Sequence, residues 1–546
     1  MREFVIAAAV LALAPVPGAA REASDWVRCD GLARPEPVTT TLGRLVLVSS
    51  TFGLFGMPER SAPELRASGA AGIAACTAVL DGGVLTDDYW VRRINVLRAR
   101  AIHHLEAGAT DAVLADLASI DVIAGARASA VFYARSYGAA TALLAGLGHA
   151  AQGDSAAASA AALRAATLRP WSTSVQRLAA DTLGFDRAIA PAELVLADRL
   201  VSLDPDYRGR RADLRAAAGD WAGALADYAV LVPAADLPRP GTDAHFRAMT
   251  AVQPMRQIGS MAYAAAMTGD AALANALVAR LRSQLPPVDV AEPGQTAGAG
   301  AVAAVVRQMR PRLEMEVETT AATVESQLAL AAGRAPEAAT RLVAAPGLRS
   351  SPATVALIDA IIAALPVAQR TAGDAAVLAA RRSELIAAMA SPPQLAFGAL
   401  FELLPQPEDA AKLNGYSAQW GWGLKSTGFK LRAAKPPVTH TTIEFVGDVS
   451  SRGAVEEMTL LRAADAALAA GKPGLLIVAR RDFQRYSQMT MNGRPIGERV
   501  AAGFKSEIDV EFVDPAALPP ALAGQEDRVL SAAQIRDALA PLYVKG

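Results

Sequence analysis

Two cysteines in 546 residues leave no room for a disulfide-rich scaffold or for a zinc site built on several thiolates. Histidine is nearly as scarce. His103, His104, His149, His245 and His440 show no HExxH spacing, and the adjacent pair points to different sides of a helix, so no histidine metal site is expected. No GxSxG is present for a serine nucleophile. The segment GWGLKSTG falls short of the GxxxxGK[ST] spacing of a phosphate loop. Excess charge is missing as well: 53 basic against 54 acidic residues give a net charge of -1, without the basic surplus of a nucleic-acid binder. The apolar runs at 42–56 and 355–365 are too short for the roughly 20 residues of a spanning helix. Neither cofactor nor metal is called for, and no catalytic residue stands out.

Alanine supplies much of the 52% hydrophobic content, while aromatics make up 5%. Alanine favours helices and close contacts over bulky cores. The first twenty residues, MREFVIAAAVLALAPVPGAA, combine an early basic residue, an apolar run, a proline pair and small residues before a cut after Ala20, which is the layout of a secretory signal peptide. Cys29 lies well past that cut, so no lipid-attachment cysteine is indicated. The expected location is periplasmic or secreted, and association with the envelope stays open. In an exported chain Cys29 and Cys76 read as a disulfide, a metal or reactive thiol being the rival.

The stretch at 139–170, AATALLAGLGHAAQGDSAAASAAALRAATLRP, is a helix-turn-helix unit. Gly146, Ala158 and Ala165 sit where two helices must touch, Gly153 and Asp154 form the turn, and Pro170 ends the second helix. Related units follow the same plan: RRINVLRARAIHHLEAGATDAVLADLASID, a degenerate one ending LVLADRLVSLDP, RADLRAAAGDWAGALADYAVLVP, IGSMAYAAAMTGDAALANALVARLRSQLP and ESQLALAAGRAPEAATRLVAAPG. Two amphipathic helices then run to about Ser391. The linker PPVDVAEPGQTAGAGAV is expected to lack regular structure. This pattern resembles the tetratricopeptide repeat, which implies an α-solenoid and a concave binding surface on the first helix of each pair.

After Pro392 the texture changes to GYSAQWGWGLKSTGFKL, the strand VTHTTIEFVGD, the helix EEMTLLRAADAALAAGKPG, the strands LLIVAR and SEIDVEFV, and the helix AAQIRDALAPLY. The segments GYSAQWGWG, IEFVGD and LLRAADAALAAGKPGLLIVA resemble, over 414–482, the small C-terminal domain of a family of exported alphaproteobacterial lipoproteins of unassigned function. That resemblance brings no catalytic residues. The expected fold is therefore mainly α, a tetratricopeptide-like hairpin array followed by a small α/β or α+β domain. Its divisions are a signal peptide at 1–20, an N-terminal helical segment at 21–88, repeats at 89–391, a linker at 392–413 and the terminal domain at 414–546.

Offsets from the turn glycines place Asn95, Arg98, Leu143, Leu147, Arg256, Tyr263, Thr323 and Gln327 in the groove. They form no basic clamp, so an apolar or mixed peptide surface is expected, with a protein partner and no catalysis. The second candidate is a ligand cluster in the terminal domain at Tyr416, Trp420, Trp422, Arg462 and Arg480, the basis of an alternative reading as an envelope enzyme or small-ligand binder. Phe429 belongs with these aromatics, which otherwise read as a plug on the sheet. Glu444, Asp448, Glu456 and Glu457 are expected as solvated charges around the sheet.

Overall fold

A computed structural model describes residues 23–35, 61–184, 187–232, 252–285, 297–389, 397–406, 413–417, 427–430, 439–491 and 494–544. The expected signal peptide and the apolar insertion at 42–56 lie outside the described residues. The chain is mainly α with a small C-terminal α/β domain. It divides into two compact units, 1–125 and 126–546.

The first unit holds α1 (Asp25–Asp30), α2 (Gly69–Asp81), α3 (Trp90–Glu106) and α4 (Thr110–Ala124). Cys29 of α1 is bonded to Cys76 of α2, with Cα atoms 4.7 Å apart. Both cysteines are fully buried. The ring of His103 on α3 is buried too, its Nε2 2.8 Å from the Cys29 carbonyl oxygen. Gly72 makes this packing feasible, because a Cβ there would stand 2.5 Å from that ring. Arg92 pairs with Asp30 and lies over the Trp26 ring, so α1 is fastened to both neighbours.

The second unit begins with hairpins. Their helices are α5 (Ala139–Ala151), α6 (Ser155–Leu168), α7 (Thr173–Thr182), α8 (Pro191–Leu203), α9 (Arg208–Ala217), α10 (Trp221–Leu231), α11 (Val252–Met267), α12 (Ala271–Ser283), α13 (Ala297–Ala331), α14 (Ala335–Ala344), α15 (Pro352–Ala364) and α16 (Asp374–Met389). One turn design recurs. Gly153, Gly219 and Gly269 adopt φ between 77° and 84°, a region open to glycine. The aspartate that follows each of them accepts the backbone N–H three residues on, from Ala157, Gly223 and Leu273 at 2.9 Å. This N-cap satisfies one of the free donors at the start of each second helix. Close approach is the other requirement: a Cβ on Gly146 would meet the Ala158 carbonyl and the Thr182 methyl at 3.2 Å.

Two expectations about linkers change. The residues AGAGAV are the first turns of the 35-residue α13, because a small-residue run next to a long helix can extend it. The linker at 392–413 contains α17 (Phe397–Leu403), anchored by fully buried Leu400.

The terminal sheet has the order β1-β2-β4-β3-β5, all neighbours antiparallel. Its strands are β1 (Gly428–Lys430), β2 (His440–Gly447), β3 (Gly474–Met491), β4 (Arg494–Val513) and β5 (Leu530–Ser531). Two helices, α18 (Arg452–Ala469) and α19 (Ala532–Tyr543), supply apolar residues to the same core. β3 and β4 pair from Gly474↔Val513 out to Met491↔Arg494. That is well beyond the LLIVAR and SEIDVEFV segments, which cover only the part lined by the core. Leu203 of α8 joins the core of the terminal domain, so repeats and sheet share buried apolar surface.

Replacing both cysteines with serine opens a loop that spans 47 positions. Chain-entropy arithmetic for such a loop gives a loss of about 4 kcal/mol. Urea unfolding under oxidising conditions, followed by a probe in the first unit, should show that loss, and added reductant should reproduce it in the wild-type chain.

Candidate functional site

Buried charge joins the terminal domain to the hairpins. Glu457 of α18 is fully buried and accepts hydrogen bonds from Arg135 Nη2 at 2.5 Å, Arg169 Nη2 at 3.0 Å, Arg169 Nε at 3.2 Å and the Tyr543 hydroxyl at 2.5 Å. Arg169 stands directly before Pro170, at the end of α6. The adjacent Gly453 is required by its size, since a Cβ there would lie 2.6 Å from the Arg169 guanidinium. Burial works to raise the Glu457 carboxyl. Arg169 and then Arg135 outweigh it, and the carboxyl is held below its ordinary value.

Next to it, Glu456 accepts from the Ser172 hydroxyl at 2.7 Å and from the Ser174 backbone N–H and hydroxyl at 3.1 and 3.0 Å. Burial, and after it the charge of Asp482, pushes the Glu456 carboxyl up. Arg480 donates to Asp482 at 2.7 Å. Arg528 donates to the Val201 carbonyl at 3.2 Å and to the Ile477 carbonyl, and Arg211 of α9 reaches Asp527 at 2.5 Å. The sequence expectation of solvated charges is thus corrected for Glu456 and Glu457: they close an interface within the second unit. Glu444 is also buried, near Lys505 and Lys430, whereas Asp448 is exposed and accepts from Asn414.

The second feature is a cavity of about 200 Å³. Its walls come from α9 (Asp213, Ala216, Ala217), α10 (Trp221, Tyr228), α11 (Gly259, Ser260, Tyr263), α13 (Thr320, Thr323, Val324) and the segment 349–354 that leads into α15. All these residues belong to the hairpins. Gly259 lets α11 meet α13, because a Cβ there would stand 2.5 Å from Thr320. Trp221 and Tyr263 meet edge to face, with centroids 5.5 Å apart. The Tyr228 hydroxyl donates to Asp213 Oδ1 at 2.5 Å. Asp213 is open to solvent within the concavity. The surrounding protein nevertheless raises its carboxyl, against the Tyr228 hydrogen bond and the charges of Arg210 and Arg349.

The expected groove residues divide. Tyr263 and Thr323 line the cavity. Arg256 is exposed on the same helix as Tyr263 and pairs with Glu316 at 3.1 Å, and Gln327 is half-buried one turn beyond Thr323. Leu143 and Leu147 are corrected: both are buried in hairpin packing, because the small residues of α5 and α6 bring the helices too close to leave a groove. In the first unit Arg98 is likewise buried and Asn95 half-buried. Asp213, Trp221, Tyr228 and Arg349 were not anticipated. The offset from the turn glycine marks first-helix positions, and three of these four lie elsewhere.

In the terminal domain Tyr416 and Arg462 do come together. Arg462 lies over the Tyr416 and Phe429 rings at 4.6 and 4.3 Å, and the Tyr416 hydroxyl donates to Asp465 at 2.5 Å. Phe429 is buried between Tyr416 and Phe445, as a plug requires. Arg480 is buried and donates to Asp482 and Ser506 within the sheet, and Trp420 and Trp422 lie outside the described residues. Among the described residues no cluster of three His, Cys, Asp or Glu could hold a metal ion, and no helix is long and apolar enough to cross a membrane. Comparison of the chain with family models, curated proteins and solved structures gave no match.

Glu457→Gln leaves two arginines without their anion and should cost about 3–5 kcal/mol. Because the folded carboxyl is depressed, its contribution is full above the ordinary glutamate pKa of about 4.3 and is lost as pH falls through the folded value. The stability difference between wild type and variant, measured by denaturant unfolding, should therefore be constant near neutrality and shrink in acid.

Proposed function

We propose that this protein is an exported, tetratricopeptide-like scaffold that holds a protein partner on the face made by α9, α11 and α13 and performs no chemistry of its own. The observation that carries the reading is the cavity on that face. It is lined by residues of α9, α11 and α13 together with Trp221 and Tyr228 of α10 and the segment 349–354, and the terminal domain is docked through other residues, at the end of α6 and on α7, α8 and α9. The recurring Gly-Asp turns and small-residue contacts support a repeat array. A buried disulfide suits an oxidising compartment. The buried charges of the terminal domain favour a structural role there, since Glu456 and Glu457 are engaged with the hairpins and Arg480 with Asp482.

The test is affinity capture from envelope extract with the full chain as bait, run beside Thr323→Glu and Arg256→Ala. Wild type should retain a specific partner, and Thr323→Glu should reduce its recovery at least tenfold with the melting temperature unchanged. Absence of a specific partner, or recovery by both variants equal to that by the wild type, would refute the reading.

A further inference from the structure

The cavity also carries chemistry that a passive docking face does not need. One wall holds an acid. Asp213 Oδ1 takes the Tyr228 hydroxyl, so the carboxylate is fixed in orientation. Among the described residues it makes no ion pair. The nearby Arg210 is committed to the carbonyls of Ala180 and Leu183 at 3.1 and 2.7 Å. A carboxylate surrounded by protein, which feels the charges of Arg210 and Arg349 but makes no close ion pair with either, favours an arriving cation. Beside it stand the rings of Trp221 and Tyr263, and aromatic faces also attract cations.

A second wall holds a base. Arg349 belongs to the lining, and its Nε is 4.0 Å from Glu316 Oε1. Glu316 is more closely held by Arg256 at 3.1 Å, so the Arg349 guanidinium is left available for another anion. Arg349 is followed by Ser350 and Ser351, and Ser351 caps the 13-residue α15, whose amino end adds favourable potential for negative charge. Between the two poles the lining is apolar or hydroxylic: Ala216, Ala217, Val324, Pro352, Thr320 and Thr354.

Size narrows the choice. A cavity of ~150 Å³ takes a benzene-sized molecule, and pockets for drug-sized ligands begin at about 300 Å³. A volume of about 200 Å³ therefore suits an occupant of one amino acid. We propose that this cavity binds a small zwitterion of the α-amino-acid type, its ammonium on Asp213 and the Trp221–Tyr263 wall, its carboxylate on Arg349, and one apolar side chain between them. This ligand site goes beyond the protein-partner reading and does not depend on it.

The experiment is calorimetric titration of the full chain with L-leucine and L-phenylalanine. 2-Phenylethylamine, which lacks the carboxylate, 3-phenylpropanoate, which lacks the ammonium, and the dipeptide Gly-Leu complete the set. Saturable binding of at least one free amino acid is expected, with each singly charged analogue at least tenfold weaker than L-phenylalanine if that is the one bound. Asp213→Asn keeps an acceptor for Tyr228 and should weaken binding at least tenfold. Arg349→Gln, at an exposed side chain, should do the same with the melting temperature unchanged. Tighter binding of Gly-Leu than of either amino acid would identify a peptide terminus as the source of the same two charges. The proposal is overturned if no probe binds, if an analogue with one charge binds as well as L-phenylalanine, or if neither variant weakens binding. Any of these can occur whether or not a protein partner is captured.

Discussion

The buried Glu457 carboxylate is the constraint from which the arrangement of the second unit follows. One anion receives two arginines from the hairpins and one tyrosine from the terminal domain. Removing three such groups from water is costly, and only a complete set of partners offsets it. The hairpins must therefore present Arg135 and Arg169 together, and α18 must approach closely enough to deliver Glu457, which is where Gly453 enters. The terminal domain is in consequence a fixed part of the unit. Its core extends into α8 through Leu203, and its outer loop reaches α9 through Asp527.

The Gly-Asp turns set each second helix back along its partner with the same left-handed glycine and the same capped amide, so successive first helices stand side by side. Where the small residues are dense, as in α5 and α6, that placement closes completely and buries Leu143 and Leu147. Where α9, α11 and α13 meet, larger rings and hydroxyls replace alanine, and Gly259 admits Thr320 on one side only. A cavity is the result of that local change in side-chain size.

The architecture was legible because its causes are local. Glycine followed by aspartate specifies a turn and a cap without knowledge of any distant residue, and the β-branched run in VTHTTIEFVGD specifies a strand. The reach of β3 and β4 beyond LLIVAR and SEIDVEFV was not legible, because RRDFQRYSQMTM and RPIGERVAAGFK carry no sustained apolar alternation. The site was half legible. Tyr263 and Thr323 follow from their distance to a turn glycine, but Trp221 and Tyr228 come from a second helix and Arg349 from a loop. Glu456 and Glu457 look like ordinary helix-surface charges in EEMTLLRAAD, yet Arg135 and Arg169, the partners of Glu457, and Ser172 and Ser174, the partners of Glu456, lie some 300 residues earlier. Nothing in the local pattern marks a carboxylate as buried when its counter-ion is that far away in the chain.

The two poles of the cavity are held by different elements. Its Asp213 wall is on α9, which Arg211 ties to the terminal domain at Asp527. Its Arg349 wall leads into α15, where the neighbouring hairpins are held on their outer sides by exposed pairs such as Arg282 with Glu318 and Arg341 with Glu325. Exposed pairs of this kind contribute well under 1 kcal/mol each and weaken with salt. The acid pole is thus on a helix tied to the terminal domain, and the basic pole leads into a helix whose Leu357, Ile358 and Ile361 share the apolar core of α11 to α14. A ligand that joins the two poles would gain affinity from whatever order it imposes between them only to the extent that its own contacts exceed that cost. Two full charges at the ends of a small, partly desolvated cavity are the kind of contact able to do so, which is why the charged poles matter more to this site than its apolar lining.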